Sequence, residues 1–251
     1  MGKYGSDQVG FFLVDGYDML GAITALEGPT VEAVMERSDP LGASWQEQTP
    51  TGAMRATMTQ SGFYDDVANG SHVALNEQQD VSRVFCLNVD GNAAGQTFDG
   101  AAGTFGMKYG RKPARDALIK ADAEYRISGQ VDRDGIILQP RATKTADWNT
   151  ESASYDAAAS SDAGGAGYLQ VSELALDGHD SLDVTIRHSA DDSTFADLIA
   201  FTAVTAEFAG ERIEVSGTVN RYLAVDGDFA GTGTAPTAKV FVGFKRFPEA
   251  A

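Results

Sequence analysis

Between Ile119 and Val131 the chain alternates almost without fault. Ile119, Ala121, Ala123, Tyr125, Ile127, Gly129 and Val131 fall on one face, and Lys120, Asp122, Glu124, Arg126, Ser128 and Gln130 fall on the other. A period of two marks a β-strand with one dry and one wet face. At about 3.3 Å per residue this stretch would span roughly 43 Å, whereas most strands stop at about five or six residues. A strand that long must bend, or be shared with something beyond its own small core. The wet face carries both signs of charge, which suits water or a polar partner and not lipid. Asp132-Arg133-Asp134-Gly135 then reads as a turn into Ile136-Ile137-Leu138, so residues 119–138 are expected to form a hairpin.

The rest of the chain repeats this short-strand grammar. Val9 to Val14 and Met19 to Leu26 read as strands around an Asp15-Gly16-Tyr17-Asp18 turn, with Gly28-Pro29 as a breaker. Met54 to Gln60 alternates, Val81 to Val89 is a buried strand, and Thr97 to Met107 can hold another. Short helices are expected after Asp65 or Asp66 and near Ser71–Asn76. Residues 150–167 are mostly Ser, Ala, Gly and Asp without periodicity, and read as a linker or long loop. Beyond them, Leu182, Val184 and Ile186 alternate with Asp183, Thr185 and Arg187, and Phe195–Thr205, Arg212–Val225 and Lys239–Phe247 supply further strands. The expected class is all-β. Residues 1–145 form one domain with a long hairpin and a short helix, 146–167 a linker, and 168–251 a second β-sandwich of jelly-roll or immunoglobulin-like type.

A formal charge of −17 over 251 residues is spread evenly, which argues against a tight grip on a phosphate backbone. The acid is mostly Asp and the base mostly Arg, a bias that would fit a salt-loving host. No apolar run is long enough to cross a bilayer, and the first residues lack the apolar segment of a signal peptide. The myristoylation-like Gly2…Ser6 and the sequon Asn69-Gly70-Ser71 match patterns that short sequences meet by chance. Cys86, the single cysteine, sits in the apolar run Val84-Phe85-Cys86-Leu87 and reads as a small buried hydrophobe.

Chemistry is sparse. His72, His179 and His188 have no ligand spacing, so a zinc site is not expected. The turns Asn88–Asn92, Asp191–Ser193 and Asp226–Asp228 are Asp-rich, but none follows the twelve-residue calcium pattern, and Asx turns account for them. No nucleophile, base or cofactor constellation appears, so neither an enzyme nor a cofactor is expected. The one cationic cluster is Lys108, Arg111, Lys112 and Arg115, which suits an acidic surface, such as that of another subunit.

Leu41-Gly42-Ala43-Ser44-Trp45-Gln46-Glu47, then Thr51-Gly52, then Thr59-Gln60-Ser61-Gly62-Phe63-Tyr64-Asp65-Asp66 resembles the tail tube (major tail) proteins of long-tailed phages. Phe12-Leu13-Val14-Asp15-Gly16 and the long hairpin fit that likeness. Ile186–Ser193 with Val219-Asn220-Arg221-Tyr222-Leu223 looks like the β-sandwich decoration often appended to such virion proteins. The chain departs from the family at Ala43, where an acidic residue usually follows Leu-Gly. The resemblance implies homohexameric rings that stack into a tube and meet other tail proteins at its ends. DNA would pass through the lumen without sequence-specific contact. Such a protein belongs to the virion tail and assembles in the host cytoplasm, with no membrane partner. On this reading Leu41, Trp45, Phe63, Tyr64, Lys108, Arg111, Lys112 and Arg115 would meet neighbouring subunits, with Trp45 as anchor. Asp122, Glu124, Arg126 and Gln130 would line the lumen, where carboxylates repel phosphate. Two other functions compete: a capsid decoration or cement protein, and a carbohydrate-binding or adhesion module using Trp148, Tyr168, Phe195 or Tyr222.

Overall fold

Strands supply nearly every regular element, as the period-two patterns and glycine-rich turns require. The computed structural model describes residues 9–37, 48–64, 71–77, 81–115 and 117–249. In chain order these hold β1 (Phe11–Val14), β2 (Tyr17–Asp18), β3 (Ile23–Arg37), β4 (Gln48–Phe63), helix α1 (Ser71–Glu77), β5 (Arg83–Asn88), β6 (Thr97–Lys112), β7 (Lys120–Ile127) and β8 (Asp132–Lys144). There follow β9 (Trp148–Asn149), β10 (Tyr155–Asp156), β11 (Gly165–Ala175), β12 (His179–Ser189), β13 (Ala196–Ala200), β14 (Ala209–Val215), β15 (Tyr222–Gly231) and β16 (Thr237–Arg246). The fold is all-β.

One large sheet runs β14-β11-β16-β8-β6-β5-β1-β2, and β3, β4 and β7 branch from it at β6. A smaller sheet, β10-β15-β12-β13 with β9 beside β15, packs on its far end. Between them lies an apolar core that includes Leu138, Leu169, Val171, Val184, Ile186, Val225, Val240 and Phe244. A second core under the branch gathers Phe12, Val14, Met58, Phe85, Tyr125 and Ile127. A third joins Phe11, Leu13, Phe98 and Ile137 to Tyr168 and Phe241. The first eight residues of β11 are all buried, because that strand has a core on each face.

The expected hairpin over 119–138 is not formed. Alternation holds through β7, with Ala121, Ala123, Tyr125 and Ile127 buried, but the strand stops at Ile127. There the Ser128 N–H donates to the Gly103 carbonyl at 2.9 Å. β7 and β8 do not pair with each other. Both lie along the same edge of β6, Ile127 opposite Thr104 and Asp132 opposite Gly100. The true hairpin is β6 against an interrupted arm of β7 and β8. Asp132-Arg133-Asp134-Gly135, expected as a turn, lies inside β8. Asp134 takes a left-handed φ of 55°, and the register shifts between Phe98 and Gly100 on β6, so the turn-like residues make a bulge. The expected breaker Gly28-Pro29 sits inside β3, where a register shift between Glu27 and Thr30 absorbs it.

Residues 146–167 are not a free linker. They hold β9, β10 and the first residues of β11. Ser161 bridges Val219 and Ala163 bridges Gly217, while the Arg246 guanidinium donates to the Ala159 carbonyl at 2.5 Å. Nor does hydrogen bonding stop near residue 145, because β8 pairs with β16 and with β6.

Several polar contacts span this junction. Asp132, fully buried, accepts from Tyr168 Oη at 2.6 Å and from Arg212 Nη2 at 2.7 Å. Burial first, and the neighbouring Asp132 charge second, push the Tyr168 phenol well above its ordinary range. Gln170, also buried, accepts from the Gly16 N–H at 2.5 Å and donates to the Val84 carbonyl at 3.1 Å. Tyr17 stacks on Phe208 at 4.2 Å between centroids.

Candidate assembly surface

The branch is an antiparallel arm in the order β3-β4-β7-β6. Its register is fixed by β3 on β4, β4 on β7 and β7 on the second half of β6. Directly opposed residues point to the same side, so the rows can be read off. Leu26, Gln60, Ala123 and Tyr109 share one row, and Met58 and Tyr125 belong to another. These rows face the core beneath, where the Tyr125 hydroxyl donates to Gln60 at 2.9 Å. On the opposite face Glu27, Thr59, Glu124 and Lys108 form one row, and Ala25, Ser61, Asp122 and Gly110 the next. Phe63, Lys120 and Lys112 close that end.

The structure thus brings together residues that the sequence assigned to two different roles. Lys108 and Lys112, expected at an interface, share a face with Asp122, Glu124 and Arg126, expected at a lumen. Lys112 and Asp122 form a salt bridge, and this hydrogen bond holds the Asp122 carboxyl below its usual range. Thr59, Ser61, Lys108, Lys112, Asp122 and Glu124 border a cleft of about 240 Å³. Nearer the distal end, Arg55 pairs with Glu32 at 2.9 Å. The face is therefore close to charge-balanced, although the whole chain is at −17; Asp122 and Glu32 are answered by Lys112 and Arg55 on neighbouring strands, and Glu124 lies opposite Lys108.

The remaining candidates separate. Arg111 lies opposite Ala121, on the core side, with its guanidinium 5.4 Å from the Tyr64 ring centroid. Tyr64 packs on His72 of α1, whose Nδ1 lies 2.8 Å from the Tyr109 hydroxyl. Gln130 sits in the break after β7 and donates to Asp132 at 3.2 Å. Arg115 is exposed in the turn between β6 and β7. Leu41 and Trp45 lie outside the described residues, as does the helix expected after Asp65 or Asp66. Sequence reasoning missed the exposed apolar groups at the two ends of the arm. Leu118 and Ile119 stand beside Phe63 at one end, and Val31, Met35 and Met54 at the other. Their signal was faint, single apolar residues at strand ends.

Both outer edges of the arm are open among the described residues. β3 pairs with β4 alone. Residues 105–112 of β6 pair only with β7, because β5 reaches no further than Thr104.

The other candidate chemistry is occupied locally. Asp90 accepts from Asn88 at 2.8 Å and from the Thr97 hydroxyl at 3.0 Å, and Asp191 accepts from the Thr194 N–H at 2.9 Å. Among the described residues no group of three or more His, Cys, Asp or Glu side chains is placed to hold a metal. Tyr168 is buried and closed to a sugar, and Trp148 lies edge-on to Phe229 at 6.3 Å.

No family model matches the chain, and no curated protein does. Among solved structures it overlaps a chain from the virion of a native gene transfer agent particle, with a TM-score of 0.37 and 10% identity, over 51% of this chain and 97% of that one. A chain from the tail of an empty gene transfer agent particle, refined with C6 symmetry, gives 0.37 and 11% over 53% and 98%. The Dit protein of phage SPP1, described as a hub of the adsorption apparatus, gives 0.30 and 11% over 93% and 98%. All three TM-scores lie below the level at which two chains share a fold.

Proposed function

We propose that this chain is a structural, non-enzymatic subunit of a phage-type tail, and that six copies close into rings which stack as a tail tube. The observation that carries this reading is the β3-β4-β7-β6 arm, open at both edges and polar on the face turned away from the core. Open edges that long invite aggregation unless neighbours cover them, and a ring of copies covers every one. Six arms supply about 24 strands. At about 4.8 Å between strands and a tilt of about 40°, the barrel would be roughly 48 Å across at the backbone, wide enough for a nucleic-acid duplex. Its lining would be the charge-balanced face, where Lys112 is paired with Asp122 and Lys108 lies opposite Glu124, which leaves no continuous cationic track for a phosphate backbone. The exposed apolar residues at the two ends of the arm would meet the rings above and below. The sequence likeness at residues 41–66 supports the same assignment. Assembly would take place in the host cytoplasm, the product residing in the virion tail.

Negative-stain electron microscopy of the purified, concentrated chain in low and high salt tests the proposal. Rings with a central hole, or stacked tubes, are the expected result. Small isolated particles at every concentration would overturn it and turn attention to a decoration or glycan-binding role.

A further inference from the structure

We propose that the seam between neighbouring copies is polarised by charge: Glu27 and Glu32 on the β3 edge of one copy meet Lys108 and Lys112 on the β6 edge of the next. This inference rests on the ring reading above. Strand direction in the arm alternates from β3 through β4 and β7 to β6. When copies follow one another around an axis, β6 therefore meets the next β3 antiparallel, and the seam continues the ladder within each arm.

The two edges carry opposite charge. β3 presents Glu27, Glu32 and Glu36, with Arg37 only at its end, whereas residues 105–112 of β6 contain Lys108, Arg111 and Lys112 and no carboxylate. Glu27, Glu32, Lys108 and Lys112 all lie on the outer face, so they would emerge on the same side of a seam. At a tilt of about 40° successive four-strand arms are offset along their strands by about 16 Å, or about four to five residues; an offset of about four residues places Glu27 beside Lys112 and Glu32 beside Lys108. Glu27 and Lys108 are exposed, and among the described residues neither forms an ion pair within its own chain. Glu32 and Lys112 already have Arg55 and Asp122, and would add a second partner across the seam. Opposite charges across an antiparallel pair are stabilising and like charges destabilising. Pairing β3 with β3, or β6 with β6, would oppose like charges. The arrangement therefore selects head-to-tail contacts, which close into rings, over a two-fold dimer.

Two charge reversals test this. Glu27→Lys leaves both edges cationic at the Glu27–Lys112 contact, and Lys112→Glu leaves both anionic there. Each variant alone should need about tenfold more protein, or more, for half-assembly in low salt, as read by sedimentation velocity and microscopy, with circular dichroism confirming that each is folded. An equimolar mixture should recover assembly, because alternating copies restore an opposite-charge pair at every seam. Given rings from the parent chain, a variant that assembles at the parent's concentration, or a mixture no better than its components, would overturn the seam and leave the ring reading standing. A parent chain that gives only small particles would remove both.

Discussion

At the scale of single residues, Asp132 is the most consequential side chain described. Its carboxylate is fully buried, and one of its oxygens receives Arg212 Nη2, Arg212 Nε and the Tyr168 hydroxyl within 3.0 Å. Asn in its place keeps the shape and removes the charge. Arg212 would then keep Glu214, at 2.6 Å on the more exposed side of the group, as its charged partner, beside the neutral Tyr168 hydroxyl at 2.8 Å. Breaking a buried pair by removing one partner costs about 3–5 kcal/mol. Asp132→Asn is therefore expected to lower the unfolding free energy by that amount, read as a lower urea midpoint at an unchanged slope. Tyr168→Phe, which deletes the hydroxyl's donation to Asp132 at 2.6 Å and its acceptance from Arg212 Nε at 2.8 Å, should cost about 1–3 kcal/mol. If the two variants proved equally mild, the charge would contribute no more than an ordinary hydrogen bond.

At the scale of elements, the joint between β6, β8 and β16 is built around one ring. A Cβ on Gly135 of β8 would stand 2.5 Å from the Phe98 ring, and one on Gly243 of β16 would stand 2.4 Å from it. Phe98 thus lies flat over two strands that must both be bare beneath it. Gly243→Ala should cost about 1–3 kcal/mol by overpacking. Phe98→Leu should be less damaging in that background than in the parent chain, a non-additivity that a double-mutant cycle would read directly. The same joint shows what the sequence hides. β7 was legible because one face is a core and the other is water, so its alternation is strict. Its partner was not, because β6 carries Gly100, Gly103, Gly106 and Gly110 and shows no clean period. Asp134-Gly135 has the chemistry of a turn, and only the Phe98 ring explains why that chemistry sits inside a strand. Lys112 and Asp122 are ten residues apart and were given separate roles. Register across the hairpin puts them together, and register is a property of pairing that no local window contains.

At the scale of the whole molecule, the two halves of the chain share a sheet and a core. β16 covers the edge of β8, and Tyr168 and Phe241 pack with Phe11, Leu13, Phe98 and Ile137. A fragment of residues 1–145 would expose that edge and half of that cluster. It is expected to lack a cooperative urea transition and a native near-ultraviolet spectrum. A sharp transition in the fragment would instead show that residues 1–145 fold alone, as their composition suggested. One strand passes through all of this without interruption: β6 belongs to the central sheet at Thr97–Thr104 and to the open arm at its other end. It is in effect a beam built into a wall. A load along its axis shears many cross-strand hydrogen bonds at once, while a load across it opens them one after another. An object made from such arms resists stretching along its strands and yields first where one strand peels sideways from the next.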